Sequence, residues 1–243
     1  MVCKLVKRLY GLKQASRQWF IKFVDALLAY GFLLSSHDHS LFTYAHNGDF
    51  LILLVYVDDI VIIGTSATLI DDVKAFIHST FRIKDLGQLK YFLGIEVARS
   101  NEGIFINQRK YAMDLLSEAG LLACKPNSTH MDIKQKLAIS TSATLTDPTE
   151  YRRLVGKLVY LNVTRPDISF SVHILSQFLA STTIDHLQAA RVLRYIKLSQ
   201  GLFYPASAAL KLEGFCDADW ASCVVSHKST SGFCIKLGPS LIS

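Results

Sequence analysis

Residues 50–64 read FLILLVYVDDIVIIG: two adjacent carboxylates, Asp58 and Asp59, set between two apolar runs rich in β-branched residues. Runs of this length and composition read as buried strands. A carboxylate taken out of water is costly unless it is paired or metal-bound. The simplest arrangement is a β-hairpin that presents the Asp pair at its tip. Two carboxylates there make an oxygen-rich site suited to Mg²⁺ or Mn²⁺. A plainer reading stands beside it: Asp is a common turn residue, so the pair can be no more than a polar turn. Neighbouring strand residues point to opposite faces, so both side chains reach one ion only if the turn bends the chain.

Charge narrows the partner. The chain has 243 residues, half of them apolar, and a formal net charge of +6. Such a composition supports a sizeable core and speaks against disorder. The basic excess is local. Lys4, Lys7, Arg8, Lys13, Arg17 and Lys22 stand against Asp25 in residues 1–31, and seven basic against three acidic residues fall in 150–200. Two basic segments suit a polyanion such as nucleic acid. The five cysteines form no CxxC, and Cys216, Cys223, His227 and Cys234 have neither knuckle nor finger spacing. Reduced thiols in an intracellular protein are expected. No apolar core follows the basic N-terminus, and no apolar run is long enough to span a bilayer.

Periodicity predicts an α+β chain. Trp19, Phe20, Phe23, Leu27 and Tyr30 have helical spacing over 15–30. Strands are expected at 41–45, 50–56 and 60–63, the first two joined through Asn47-Gly48, a hairpin signal. A helix over 67–79 precedes a strand pair at 90–97 and 103–107 and a helix at 108–119. Residues 125–149 hold eight Ser or Thr between flanking prolines and lose apolar periodicity, which reads as a linker or extended connection. Helices are expected from about 150, at 167–180 and at 184–199, and strands again within 209–237.

Several segments, in order, resemble the polymerase part of copia-type retrotransposon Pol polyproteins. Leu9-Tyr10-Gly11-Leu12-Lys13-Gln14-Ala15 resembles the family's LYGLKQAPR motif, with Ser16 where Pro is usual. Tyr56-Val57-Asp58-Asp59 resembles the catalytic hairpin of reverse transcriptases. Phe92-Leu93-Gly94-Ile95-Glu96 resembles the primer grip. Residues 151–158, with Arg152, Arg153 and Lys157, look like the thumb helix that tracks the duplex. Thr164-Arg165-Pro166-Asp167-Ile168 and residues 191–195 also match, and residues 214–220, with Asp217, resemble the opening strand of an RNase H domain. Each piece has an ordinary alternative as a basic turn, core strand or solvated face; their order argues against coincidence.

The resemblance implies a reverse-transcriptase palm, an antiparallel sheet with packed helices, over 1–124. It implies the linker at 125–149, a helical thumb or connection at 150–205, and the first strands of an RNase H-like domain at 206–243. It implies RNA-directed DNA polymerase chemistry. Asp58 and Asp59 would hold the catalytic Mg²⁺ or Mn²⁺; Gly11, Lys13, Gln14 and Tyr56 would contact nucleotide and template; Phe92, Leu93 and Gly94 would hold the primer; Arg152, Arg153 and Lys157 would bind the duplex. An RNA template, a DNA primer and dNTPs are the implied partners, in a cytoplasmic particle or the nucleus, with no membrane.

Template-directed nucleotide addition uses two metals about 3.5–4 Å apart. In this family a further Asp comes from a strand upstream of the LYGLKQ motif. The sequence starts only a few residues before that motif, so this strand and most of the fingers are expected to be missing. The only acids before Asp58 are Asp25, Asp38 and Asp49, none on an apolar strand. The RNase H portion retains Asp217, while Val224-Val225-Ser226-His227-Lys228 replaces the family's acidic and Arg-containing stretch. The chain is therefore expected to be a truncated polymerase, inactive by itself. A nucleic-acid-binding remnant without catalysis, or a decayed product that does not fold, are the competing readings.

Overall fold

The computed structural model describes residues 15–131, 142–196, 200–221 and 227–243. The LYGLKQ residues Gly11, Lys13 and Gln14 lie outside them, as does most of 224–228. Packing divides the chain into two units, Met1–Leu89 and Lys90–Ser243.

In the first unit the aromatic periodicity of 15–30 forms α1 (Ala15–Tyr30). Its inward face buries Phe23 and Leu27 completely, and Trp19 stacks on Phe23 at 5.0 Å between ring centroids. The strands follow as β1 (Leu33–Leu34), β2 (Leu41–His46), β3 (Asp49–Tyr56) and β4 (Asp59–Gly64), an antiparallel sheet in that order. Asn47 and Gly48 form the two-residue turn between β2 and β3 with φ of 50° and 87°, the backbone such turns require. Helix α2 (Ala67–Phe81) starts where the Ser66 hydroxyl accepts from the Leu69 N–H. It buries Leu69, Val73 and Ile77, four residues apart, against Leu51, Leu53 and Val55 of β3 in one core cluster. Each such side chain contributes about 1.5–3 kcal/mol by leaving water.

The two runs around the Asp pair are buried on one face only. Phe50 and Ile63 are 43% and 55% exposed. β4 is the last strand of its sheet, so its outer edge has no partner among the described residues.

The second unit begins with β5 (Tyr91–Phe92), β6 (Ile95–Ser100) and β7 (Gly103–Asn107). The strand expected over 90–97 is broken by a reversal at Leu93 and Gly94. A fourth strand, β8 (Gly201–Pro205), pairs with β7 from almost one hundred residues away in sequence. The helices are α3 (Arg109–Glu118), α4 (Thr149–Leu161), α5 (Ser169–Ser176) and α6 (Ala189–Ile196). Short 3₁₀ turns, Pro166–Ile168 and Ile184–Gln188, open α5 and α6, so both α-helices are shorter than their apolar periodicity suggests. Tyr151, Val155, Leu158 and Leu161 line the inner face of α4 and pack with Leu115, Leu175 and Leu193. The described part of 125–149 is an extended connection held to this core. Leu145 packs on it, the Leu145 N–H donates to the Thr182 carbonyl, and Thr144 bridges Thr183. A separate antiparallel sheet follows, β11 (Ser240–Leu241), β10 (Thr230–Leu237) and β9 (Leu212–Asp219) in that spatial order.

Candidate functional site

The Asp pair sits where the sequence suggests, at a hairpin tip. Tyr56 closes the β3–β4 ladder opposite Asp59, leaving Val57 and Asp58 as the two-residue connection. Val57 has φ of 50°. A β-branched side chain is poorly tolerated in that left-handed region, and strain of this kind costs about 1–3 kcal/mol and gathers at functional sites. Tyr56 and Val57 are 54% and 65% exposed, and both carboxylates face water. The expected burial cost is therefore not incurred: the apolar strands end just before the charges begin. Neither carboxylate forms an ion pair or hydrogen bond with a described residue.

Two adjacent free carboxylates form a hard-oxygen donor set. Mg²⁺ is commonly held by one or two carboxylates together with substrate phosphates, so the pair fits such an ion with the remaining ligands coming from elsewhere. Among the described residues no group of three or more His, Cys, Asp or Glu side chains converges. Of the Cys216, Cys223, His227 and Cys234 cluster, Cys223 lies outside the described residues, and Cys124, Cys216 and Cys234 are in no disulfide.

The Phe92-Leu93-Gly94 segment forms a second tight hairpin. Phe92 pairs with Ile95, and Leu93 and Gly94 make the turn with φ of 50° and 85°. A side chain is strained at either value, and only the glycine escapes the penalty. Glu96, two residues after the turn, has a local duty: its Oε1 accepts the Lys110 N–H at 2.8 Å, capping the start of α3. The Tyr160 hydroxyl on α4 donates to the Leu93 carbonyl. Nothing in the sequence separates Tyr160 from any other aromatic on an amphipathic helix, so sequence reasoning passes over it.

The basic residues of α4 are not equivalent. Lys157 pairs with Glu118 at the end of α3, which holds the Glu118 carboxyl below its ordinary range. Arg152 Nε donates to the Leu179 carbonyl at 2.9 Å. Arg153 is exposed and forms no hydrogen bond or ion pair with a described residue.

Asp217 lies elsewhere in the second unit, exposed on β9, with its Oδ1 accepting the Ala218 N–H at 2.9 Å. It lines a cleft of about 890 Å³ with Asp219, Asp167, His173, Phe170 and Phe233. Among the described residues no Lys or Arg lines this cleft.

Comparison with known proteins decides the family. The profile of "Reverse transcriptase (RNA-dependent DNA polymerase)" matches residues 1–133. The chain belongs to the reverse transcriptase family. This reverse transcriptase chain is 44% identical over its whole length to the "Retrovirus-related Pol polyprotein from transposon RE1" of Arabidopsis thaliana. It is 34% identical over its whole length to the corresponding polyprotein from transposon TNT 1-94 of Nicotiana tabacum. It spans 17% and 19% of those polyproteins, a copia-type reverse transcriptase region. An uncharacterized mitochondrial protein of Arabidopsis thaliana is 44% identical over 79% of this chain and 80% of its own length. No solved structure matches. The profile covers both hairpins; α4 and Asp217 lie beyond it, within the full-length polyprotein alignments. No helix among the described residues is long and apolar enough to cross a membrane.

Proposed function

We propose that this chain carries the metal-holding hairpin of an RNA-directed DNA polymerase, the part of a copia-type Pol protein that copies RNA into DNA. The observation that carries the reading is the Tyr56–Asp59 tip: two free, adjacent carboxylates on a strained turn, inside the segment that the reverse transcriptase profile matches. The reaction joins a nucleotide to the primer 3′-hydroxyl and releases pyrophosphate. Asp58 and Asp59 would hold Mg²⁺ or Mn²⁺, and a bound ion would supply activation of the hydroxyl and neutralisation of the leaving group. Tyr56, exposed beside them, contacts the nucleotide or template, together with Gly11, Lys13 and Gln14. The Phe92–Gly94 turn holds the primer, and Arg152, Arg153 and Lys157 on α4 face the duplex. In this reading residues 1–124 supply a partial palm, 150–205 a thumb or connection, and 206–243 the opening of an RNase H-like domain with Asp217 as its first carboxylate.

Two carboxylates do not complete a two-metal site, and no third acidic side chain joins them among the described residues. The 243-residue polypeptide is therefore expected not to extend a primer on an RNA template with Mg²⁺ or Mn²⁺. Incorporation that is lost on Asp58→Asn would overturn that expectation while keeping the assignment of the hairpin. Nuclease activity is not expected either, since among the described residues no three acidic, His or Cys side chains converge around Asp217 to hold a metal pair.

A second reading, a nucleic-acid-binding protein without catalysis, draws on the exposed Arg152 and Arg153 of α4. It predicts binding of an RNA–DNA duplex that weakens as salt rises, because bound counterions are released. An isotherm indifferent to salt would count against it.

A further inference from the structure

The geometry points to Tyr160 as a positioning residue that locks the Leu93–Gly94 turn to α4, so that the primer contact and the duplex contact move as one body. This rests on the reading of residues 92–94 as a primer contact and α4 as a duplex contact.

Three observations carry it. First, the turn is strained at a leucine, with Leu93 at φ of 50°. Such a conformation persists only when its surroundings over-determine it. The Phe92–Ile95 pair closes the ladder below the turn, which leaves the Leu93 carbonyl available outside it. The Tyr160 hydroxyl takes that carbonyl, and its ring lies 3.6 Å from where a Cβ on Gly94 would stand. The tyrosine therefore fills the space above the turn and bonds its apex.

Second, Tyr160 is itself held. The Tyr111 ring of α3 meets it edge-on, centroids 5.3 Å apart, and the Tyr111 hydroxyl donates to the Lys157 carbonyl one turn earlier in α4. Lys157 then pairs with Glu118. α4 is thus tied to α3 at one level and to the β5–β6 turn at the next. Third, Arg152 and Arg153, two turns earlier in the same helix, are exposed. A duplex lying on α4 shares a rigid helix with the tether to the turn.

The alternative is that Tyr160 is only a packing residue. Tyr111→Phe supplies the control, because it deletes a neighbouring hydroxyl that also fastens α4 but does not touch the turn. The experiment uses the 243-residue chain and an RNA–DNA hybrid with a fluorescent adenine analogue at the primer 3′ end. Affinity, its salt dependence, the terminal fluorescence change and the melting temperature are measured for wild type, Tyr160→Phe and Tyr111→Phe. Tyr160→Phe is expected to weaken binding about three- to tenfold, as loss of one net hydrogen bond implies. It should also diminish the 3′-terminal signal while leaving the salt slope unchanged, since no phosphate contact is removed. Tyr111→Phe should lower the melting temperature and keep that signal. Unchanged affinity and signal in Tyr160→Phe would overturn the inference, as would equal signal loss in both variants. A wild-type chain that binds no hybrid would instead sink the functional reading, and the inference with it.

Discussion

Arg165 grips Asp167, two residues ahead of it, with two parallel bonds: Nε donates to Oδ1 at 2.8 Å and Nη2 to Oδ2 at 2.7 Å. The guanidinium is almost fully buried and lies over the Tyr195 ring of α6 at 5.5 Å. The pair thus fastens the turn between α4 and α5 to the last helix of the bundle.

Removing the charge of Asp167 should expose what that grip is worth. A buried cation stripped of its partner is strongly destabilising. Because Asp167 is partly solvated, Asp167→Asn should cost about 2 kcal/mol, less than a fully buried pair would. Burial pushes the Asp167 pKa up, but the Arg165 bonds and a bond from Tyr195 outweigh it and hold the carboxyl below its ordinary 3.8. A depressed folded pKa means the contribution is present above the unfolded value and lost as pH falls through the folded one. Urea unfolding of wild type should therefore show an acid-side loss that the variant lacks. Parallel stability–pH profiles would refute the assignment.

Val57 offers a test of strain at the hairpin tip. Val57→Gly removes the left-handed penalty of about 1–3 kcal/mol and adds roughly 0.5–1 kcal/mol of backbone entropy cost. A net gain of about 1 kcal/mol is expected from the difference between these. No gain in melting temperature would mean that the turn is not strained in solution.

Tyr151 is fully buried, and its hydroxyl donates to the Leu175 carbonyl at 2.7 Å, near the end of α5. Burial pushes its pKa up to about 12. Tyr151→Phe should cost about 1 kcal/mol, the net worth of one such bond, with the cooperative transition intact. The raised value also means that this hydroxyl opposes ionisation in the folded state. Absorbance titration in alkali should detect its release only with unfolding.

Among the basic side chains of α4, Arg153 is the one whose removal should register most in binding, since Arg152 and Lys157 are partly engaged within the protein. Arg153→Ala should reduce the salt slope of duplex binding by about one counterion. Lys157→Ala should change the slope less, because its ammonium already pairs with Glu118, and should instead loosen the α3–α4 contact. Equal slopes for wild type and Arg153→Ala would remove the arginine from the interface.

Much of the first unit was legible because its periods are local. Leu69, Val73 and Ile77 repeat at helical spacing, and Asn47-Gly48 names its own turn. The Asp58–Asp59 tip was legible for the same reason, although its exposure was not, since composition cannot say how far a strand runs before the chain leaves the sheet. What stayed hidden is non-local. β8 meets β7 across almost a hundred residues and is a short run ending in Pro205, where strand signals fade. The Tyr160–Leu93 and Arg165–Tyr195 contacts join elements whose adjacency no period encodes. Leu93 is a further case, because a leucine does not announce a left-handed turn. The family's LYGLKQ residues were legible by resemblance alone and lie outside the described residues.

The border of β4, unpaired among the described residues, makes protein concentration an experimental variable. An apolar strand with an unpaired outer row of amides and carbonyls is a template for another strand, whatever chain supplies it. Ile63, half out in solvent on that strand, adds hydrophobic attraction to the backbone pairing. Stocks of the 243-residue polypeptide should grow turbid or sediment as fibrous material with time and crowding, faster at higher salt as the net charge of +6 is screened. Charge placed on the rim of that strand, as in Ile63→Lys, should lengthen the useful life of the sample.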